Sequence, residues 1–309
     1  MGDICTSERQ DRIGELPDDI LLHILYFLSI GDVFRTSALS TRWKHLCTLK
    51  YTWITTSQLQ PWISAAIRCN LQELENSIGN VPLPDNAFTV KSLTVMKLKI
   101  TSFFQVPSFI KLSNLKTLHL SLFLKNGKGI AEQLEQLFSD CCLLQELVLN
   151  IGISLSIKRI KICIPSLRTM VIRCPSNRRI LCGCGITIYA ENLKVLLSIN
   201  CLNIEILPCD LSSLNYAYIE DDSDSFTQQT AQNALKLMTG ICNVKSLTLS
   251  GDILKHLFFE ENLQDGLPLF HRLTHLKVIP RKLGYTDYLV WKDILQKSPN
   301  IVSSRMTGY

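Results

Sequence analysis

Residues 114–122 read Asn-Leu-Lys-Thr-Leu-His-Leu-Ser-Leu, and this stretch decides the fold. Leu115 is followed three positions later by Leu118, and Leu118 and Leu120 then alternate with polar residues such as His119. Alternation over five or six residues predicts a short β-strand with one buried face, because successive side chains of a strand point to opposite sides. We therefore expect the leucines to face a core and His119 to face away from it.

The same apolar-x-x-apolar-x-apolar pattern recurs along the chain at intervals of 21 to 30 residues. A unit of that length cannot bury its leucines alone, so it must stack on its neighbours, and connections of this length let successive strands lie parallel. The period is that of leucine-rich repeats or one residue longer. Nine units therefore predict an irregular leucine-rich-repeat solenoid with a parallel strand ladder. Their starts are Leu93, Leu115, Leu144, Leu167, Leu214, Val244 and Leu273, with weaker copies at Leu71 and Leu193.

The connections between the strands differ in character. Apolar residues at helical spacing predict a helix from Ile130 to Phe138. A second helix, around Ala231 to Met238, is preceded by Ser225-x-x-Gln228, the pattern of a capping box. Other connections contain proline and are predicted to be irregular. These prolines are Pro165, Pro175 and Pro208.

The most apolar segment, residues 16–28, precedes the repeats. Its apolar side chains would surround a helix almost completely, whereas a helix with one wet face shows only a stripe. The surplus apolar surface indicates a partner protein; packing on the rest of the same chain is the alternative that the pattern leaves open. The residues concerned are Leu16, Ile20, Leu21, Leu22, Ile24, Leu25, Tyr26, Phe27 and Leu28.

The ends of this helix are marked in the sequence. Pro17 suits a helix start, where its missing N–H costs nothing, and Gly31 suits a helix end. Asp32 can cap a second short helix, and Ser40 a third that carries Trp43. The segment is therefore predicted to form three short helices.

These residues resemble a known family. The string Leu-Pro-x-x-Ile-Leu-x-x-Ile-Leu-x-x-Leu at 16–28, followed by Arg-Thr-Ser-x-Leu-Ser-x-Arg-Trp at 35–43, resembles the F-box in its plant form. The resemblance implies docking on a Skp-type adaptor, which links F-box proteins to a cullin scaffold in SCF ubiquitin ligases. The candidates it supplies for adaptor contact are Leu16, Pro17, Ile20, Ile24, Leu25, Leu28 and Trp43.

The C-terminal region carries a second resemblance. Residues 269–278 and 291–300 look like the start of an FBD domain, found in plant proteins with an F-box and leucine-rich repeats. The strand that usually follows stops almost at once, at 301–306, so the cap is expected to be partial and a truncated isoform stays open. We expect an α/β chain with an F-box over 10–48, repeats over 49–267 and a partial FBD-like cap over 268–309.

The residues that alternate with the buried leucines are predicted to line the concave strand face, where exposed aromatic and basic side chains suit target recognition. Plain solvated strand residues are the alternative for most of them. The principal candidates are Lys97, Lys99, His119, Glu146, Asn150, Arg173, Tyr216, Tyr218, His275 and Lys277; Thr117, Thr169, Ser246 and Thr248 share the pattern.

Composition excludes several classes of function. The net charge of +5 is mild and the basic residues are interspersed with acidic ones, which argues against nucleic-acid binding. The sequence has no apolar run of the ~18 residues that a membrane span requires. The polar start of the chain is unlike a signal peptide. We expect a soluble chain in the cytoplasm, the nucleus or both; an acylation-like pattern leaves lipidation at Gly2 open beside an ordinary terminus.

The twelve cysteines show no C-x-x-C spacing, so neither a zinc site nor a disulfide framework is predicted. We interpret them as buried reduced thiols and expect no metal or cofactor. The acidic group at 220–224 is interpreted as a solvated loop that caps the next helix. Familiar catalytic motifs are missing from the sequence.

These patterns support a first hypothesis of a non-catalytic substrate receptor of an SCF-type ubiquitin ligase that binds an unknown target protein. A repeat-based interaction module without a ligase role is the alternative, and a cysteine-dependent enzyme is a third.

Overall fold

The chain forms two compact units, Met1–Leu71 and Gln72–Tyr309. The computed structural model describes residues 16–17, 20–21, 24, 64, 67, 71–76, 83–101, 107, 110–123, 129–152, 159–174, 185–222, 226–259, 266–282 and 284–307.

In the first unit, the described residues show the start of a helix. The backbone N–H groups of Ile20 and Leu21 both donate to the carbonyl oxygen of Pro17 at 3.1 Å, and the bond from Leu21 is the first α-helical one. Proline is tolerated here because its absent N–H would have no partner in the first turn. Pro17 therefore lies at the helix start, as predicted. The second and third predicted helices lie outside the described residues.

The second unit is built on a sheet of ten parallel strands in the order β1-β2-β3-β4-β6-β8-β10-β11-β12-β13. We call this sheet the ladder. Its strands are β1 Glu73–Asn76, β2 Val95–Thr101, β3 Thr117–Phe123, β4 Glu146–Ile151, β6 Thr169–Arg173, β8 Val195–Ile199, β10 Tyr216–Asp221, β11 Ser246–Gly251, β12 His275–Pro280 and β13 Ser303–Met306. The predicted parallel strand ladder is confirmed, and each of the nine repeat motifs lies on one of its first nine strands.

One buried row holds the ladder together. Backbone pairing places the central apolar residue of each motif beside its counterpart in the next unit, and each is at most 8 % exposed. Full burial of such a side chain contributes about 1.5–3 kcal/mol. The row is Leu74, Met96, Leu118, Leu147, Met170, Leu196, Ala217, Leu247 and Leu276.

A second, smaller sheet faces the core with its own apolar residues, among them Ile160, Ile186 and Ile206, each at most 2 % exposed. It consists of β5 Arg159–Cys163, β7 Gly185–Tyr189 and β9 Glu205–Cys209, parallel and in the order β5-β7-β9. Each of these strands precedes a ladder strand in the chain, so three successive units contribute a strand to both sheets.

The prediction of irregular connections at the prolines was wrong for two of them. Pro208 lies within β9, and the residues just before Pro165 form β5. Pro208 is tolerated because β9 is an edge strand. On the outer side of an edge strand no neighbouring strand accepts a hydrogen bond, so a proline, which has no N–H, is accommodated there. Pro175 lies outside the described residues.

On either side of the second sheet, the segments that connect ladder strands form helices instead of strands. They are α1 Ile130–Ser139, α2 Gln228–Gly240, α3 Ile253–Phe258 and α4 Tyr285–Gln296, with a 3₁₀ turn at Asp85–Thr89. Helix α1 lies beside β5 and α2 beside β9, while α3 lies next to α2 and α4. The predicted helices correspond to α1 and α2. The cap of α2 differs from its prediction, because Thr227 is the N-cap and exchanges hydrogen bonds with Thr230.

The C-terminal residues complete a tenth unit. Strand β13 pairs with β12, and the Trp291 indole N–H of α4 donates to Ser304 Oγ at 2.8 Å. The strand after 300 has four residues, which are enough to extend the ladder by one strand, and the partial FBD-like cap stays a prediction.

Side chains in the turns also connect successive units. Asn114 and Asn192, which directly precede a motif start, and Asn300, which lies shortly before β13, donate to a carbonyl of the preceding unit. These bonds are Asn114 Nδ2 to Lys91 O at 2.7 Å, Asn192 Nδ2 to Pro165 O at 2.9 Å and Asn300 Nδ2 to His271 O at 2.7 Å. They satisfy backbone oxygens that turns otherwise leave to solvent.

The second sheet carries one ionic link. Glu205 accepts hydrogen bonds from Arg159 and from Lys236, the latter at 2.6 Å, and Arg159 also donates to Thr187 at 3.1 Å. The link spans all three strands and α2. The hydrogen bond from Lys236, followed by the one from Arg159, lowers the pKa of the Glu205 carboxyl, although desolvation opposes them.

We predict that Glu205→Gln lowers stability at neutral pH and makes it less dependent on pH. A lowered pKa in the folded state stabilises the fold above the unfolded pKa of about 4.3, and this contribution is lost as the pH falls through the folded value. Thermal unfolding between neutral and acidic pH should show a gap between the two proteins that closes in acid. Glu191→Gln, in an exposed turn, is the reference, and a gap that is constant with pH would contradict the prediction.

A second prediction concerns Gly251, which ends β11 with φ of +71°. A Cβ atom there would lie 2.3 Å from the carbonyl oxygen of Asp221, whereas Gly129 has φ of +79° and nothing within 4 Å of the same position. We expect Gly129→Ala to cost about 1 kcal/mol for the left-handed backbone, and Gly251→Ala at least about 1 kcal/mol more because the backbone of β10 must move. Thermal unfolding monitored by circular dichroism tests this; equal losses would show that the close approach is unimportant.

Candidate functional site

The start of the first-unit helix exposes apolar side chains. Ile20 is 47 % exposed and Pro17 is exposed, whereas the adjacent Leu21 is completely buried. Residues 17, 20 and 24 follow helical spacing, so they share one face, and Ile24 and Leu16 are half-buried. The structure thus orients this turn, with Leu21 inward and Ile20 outward. Leu25, Leu28 and Trp43 lie outside the described residues.

On the ladder, the side chains that alternate with the buried rows form what we call the open face. Its central line, the middle row, is defined by backbone pairing across all ten strands. In order the middle row reads Glu75, Lys97, His119, Val148, Val171, Leu197, Tyr218, Thr248, Lys277 and Arg305. The ten principal candidates for target contact all lie on the open face: four in the middle row and six in the rows beside it.

Near β1 to β4, side chains of the open face lie close together in two pairs, of which Lys97 with Glu75 is an ion pair. Lys97 Nζ lies 3.4 Å from the Glu75 carboxylate, and His119 Nε2 lies 3.6 Å from that of Glu146. Such exposed pairs contribute about 1 kcal/mol or less to stability. The charges at this end of the open face are thus largely matched within the chain.

The predicted tyrosines are half-buried and make hydrogen bonds within the open face. Tyr216 donates to Thr248 Oγ1 at 3.4 Å, and Tyr218 donates to the Glu220 carboxylate. Their hydroxyl groups are therefore oriented, and their rings add apolar surface to the face.

The centre of the open face is apolar, which the sequence analysis missed. Val148 and Val171 are 5 % and 6 % exposed and form its floor, while Val195, Leu197 and Ile199 on β8 are half-buried. The signal was present in the sequence, because β4, β6 and β8 each contain three consecutive Val, Ile, Leu or Met residues. The repeat motif at Leu193 was the weaker copy, so β8 supplied no candidates.

The far end of the open face is basic. His275 and Lys277 on β12 and Arg305 on β13 are exposed, and the strand residues of β11, β12 and β13 include no Asp or Glu. Arg305 was missed because the last strand was expected to stop almost at once. Arg173, a predicted candidate on β6, is also exposed beside the apolar centre.

A buried polar cluster lies at the carboxyl ends of β10 and β11. His256, completely buried, places Nε2 3.3 Å from Asp221 and Nδ1 3.0 Å from Thr230 Oγ1. The Phe226 ring covers the imidazole at a centroid distance of 4.6 Å. A Thr-His-Asp arrangement resembles catalytic machinery, but the three side chains are at most 2 % exposed, so a substrate in solution does not reach them.

This cluster corrects the interpretation of the acidic group at 220–224. Asp221 is completely buried, and its neighbour Asp222 is bridged to Asp252 by Arg281, at 3.5 and 3.6 Å. The periodicity of β10 explains the burial, because Asp221 occupies an inward position of the strand. Ser223 and Asp224 lie outside the described residues.

A further carboxylate, Asp287 on α4, is buried, and its Oδ2 accepts the Gly284 N–H at 2.9 Å, while its Oδ1 has no hydrogen-bond partner. Desolvation raises the pKa of this carboxyl. Among the described residues, no three Cys, His, Asp or Glu side chains form a group suited to a metal ion.

The described cysteines do not all match the prediction of buried thiols. Cys141, Cys174 and Cys201 are buried, and the last two have their Sγ atoms 3.2 Å apart. Burial raises the pKa of Cys141 to about 12. Cys142 and Cys163 are exposed, which corrects the prediction for these two.

Across the described part of the chain, no helix has both the length and the apolarity needed to cross a bilayer.

Two family models match the chain, and each covers residues of one of the two surfaces described above. Residues 13–55 match the F-box domain, and residues 59–250 match the repeats described as "FBD-associated F-box protein At5g56370, LRR repeats". The first match contains the exposed turn at Ile20, and the second covers the ladder from β1 to β11.

Relatives from Arabidopsis thaliana share both features by name. The chain is 26 % identical to F-box/LRR-repeat protein At3g59250 over 87 % of its length and 67 % of the relative. For F-box/FBD/LRR-repeat protein At5g22660 the identity is 24 % over 95 % of the chain and 76 % of the relative. For the putative F-box/FBD/LRR-repeat protein At5g62970 the identity is 32 %, and the match covers 78 % of the chain and 51 % of the relative.

The resemblance to plant F-box proteins with leucine-rich repeats is thereby confirmed. Both modules are protein-interaction modules, and the repeat match alone extends over more than half of the chain. The chain belongs to the family of FBD-associated F-box proteins with leucine-rich repeats.

Proposed function

We propose that the chain is a substrate-recognition subunit of an SCF-type ubiquitin ligase. Its F-box binds a Skp-type adaptor, which joins it to a cullin, and its repeats bind a target protein. The observation that carries the proposal is the exposure of Ile20 beside the buried Leu21, within the residues that match the F-box domain. An exposed apolar side chain on an ordered helix start is what a partner protein would bury.

In this role the chain performs no chemistry. It raises the effective concentration of target lysines near a ubiquitin-charged enzyme supplied by its partners, and proximity of this kind increases rate without a new catalytic group. The burial of the one Thr-His-Asp cluster found among the described residues supports a non-catalytic role. We place the chain in the cytoplasm, the nucleus or both, where such ligases act.

The open face of the ladder is the proposed surface for the target. It combines aromatic, basic and apolar side chains on a scaffold whose core residues are fixed by stacking, which suits a rigid binding surface. Neither a cofactor nor a nucleic acid is required for this role.

The adaptor part of the proposal predicts a specific loss. Ile20→Asp should weaken binding to a purified Skp-type adaptor about 100-fold or more, because apolar burial worth about 1.5–3 kcal/mol is lost and a carboxylate must be desolvated. Calorimetric titration of the adaptor into the full chain measures the effect. The thermal unfolding of this variant should be unchanged, since Ile20 is exposed.

Two variants control the experiment. Val302→Asp introduces the same charge at a site that is 77 % exposed and should leave adaptor binding intact. Leu21→Ala should instead destabilise the first unit by about 2–5 kcal/mol through a buried cavity. If the unaltered chain fails to bind the adaptor, the chain is a repeat-based interaction module and the ligase role is wrong.

A further inference from the structure

The open face changes its chemical character along the ladder. From β4 to β10 its middle row is apolar or aromatic, formed by Val148, Val171, Leu197 and Tyr218 in directly paired positions. Leu197 is flanked on its own strand by Val195 and Ile199, all three half-buried. A patch of this kind in the middle of a strand face gains free energy when a partner's apolar side chains cover it.

Toward β13 the middle row becomes basic. Beyond Tyr218 the middle row continues through Thr248 to Lys277 and Arg305, and both cations are exposed. The strands that carry them have no carboxylates of their own. This end of the face therefore presents positive charge to a partner.

In the opposite direction the charges are matched within the chain. Glu75 lies 3.4 Å from Lys97, and Glu146 lies 3.6 Å from His119. A charged partner segment gains little over these strands, because lysines (Lys97, Lys99) and carboxylates (Glu75, Glu146) lie close together there. The face is thus polarised, with an apolar centre and one basic end.

We infer that the open face binds an extended target segment whose apolar side chains cover the patch around Leu197 and whose acidic side chains lie over Lys277 and Arg305. The inference rests on the proposed function, because it specifies which class of target segment the receptor would hold. Apolar contacts supply affinity at the centre, and charge complementarity fixes the direction in which the segment lies.

The ladder also sets the spacing within that segment. Leu197 and Lys277 occupy the same row three strands apart, and Arg305 lies one strand further. With strands about 4.8 Å apart, these steps span about 14 and 19 Å. An extended chain advances about 3.3 Å per residue, so acidic residues should follow the apolar anchor by about four to six positions.

Fluorescein-labelled peptides of stated composition provide the test, with the full chain bound to its Skp-type adaptor. The first probe has Leu-Phe-Leu, the spacer Gly-Ser-Gly and then Asp-Glu-Asp. A second probe replaces the acidic triplet by Lys-Lys-Lys, a third replaces the apolar triplet by Ser-Ser-Ser, and a fourth omits the spacer. Fluorescence anisotropy should show the first probe binding about tenfold or more tightly than the other three at low salt. Its advantage over the lysine probe should shrink as salt is added.

Charge reversal identifies the surface. Lys277→Glu combined with Arg305→Glu should reverse the preference, so that the lysine probe binds more tightly than the acidic one. Lys161→Glu combined with Lys292→Glu makes the same change of net charge on β5 and α4, at exposed positions off the ladder, and should leave the preference as it was. Leu197→Ser should weaken the first probe about tenfold.

The outcomes separate the inference from the proposed function. If the chain binds the adaptor but the acidic probe binds no better than the lysine probe, or does not bind, the inference is overturned while the receptor role stands. An unchanged preference in the Lys277 and Arg305 double variant would also overturn it. If the adaptor is not bound and the free chain still selects the acidic probe, the inference holds and the ligase role is wrong.

Discussion

Stacking of the buried leucine rows between successive units is the interaction on which the rest of the second unit depends. No single unit has a core of its own: a short strand with two or three inward side chains leaves most of their surface exposed until another unit covers it. Leu118 is completely buried because Met96 and Leu147 occupy the paired positions on either side of it. Backbone pairing and side-chain stacking thus require the same register, and a slip by one residue would place polar side chains in the core.

Stacking restricts which residues can occupy the buried face of the ladder, and it places no such restriction on the open face. Inward positions accept only apolar or small residues over almost the whole length, whereas the outward positions range from Glu75 through Leu197 to Arg305. The outward residues can therefore vary without disturbing the stacking, which is why a recognition surface can be built on a shared scaffold. The two edges of the sheet carry charge, with Glu73 and Glu75 on β1 and Arg305 on β13, and charged edge strands disfavour pairing with another sheet.

The ladder was predictable from the sequence because its signal is repeated. A single Leu-x-x-Leu-x-Leu motif is weak, but nine of them at intervals of 21 to 30 residues require a stack, and each motif lies on a strand. The second sheet was not predictable in the same way: β5, β7 and β9 exist only because neighbouring units place similar segments side by side, and Pro208 argued against a strand until β9 was seen to be an edge.

The predictability of the site follows the same division. The ten principal candidates lie on the open face, because strand alternation alone determines direction; their contact with a target stays a prediction. The apolar centre was missed because alternation fails where both faces are apolar, as at Leu147-Val148-Leu149. Asp221 was misjudged because an acidic run predicts solvent, and only the three-dimensional neighbourhood of His256 and Thr230 shows how a buried carboxylate is compensated. Which apolar residue of the first helix faces outward could not be read from a segment that is apolar all round.

The buried cluster and the basic end of the open face are connected by structure. Arg281, directly after β12, donates to the Asp222 carbonyl oxygen at 2.9 Å and so ties the end of β12 to the end of β10 across the intervening strand. Asp221, which precedes Asp222 in the chain, lies 3.3 Å from His256 Nε2, and its carboxylate accepts a hydrogen bond from the Leu202 N–H at 3.4 Å. A buried polar pair adds little net stability, but each partner is costly to leave without the other, so such a network favours one geometry over others close in energy. Lys277 lies on the strand that this network fixes. The polar groups that interrupt an otherwise apolar core therefore join the ends of β10, β11 and β12, next to the strand that carries Lys277.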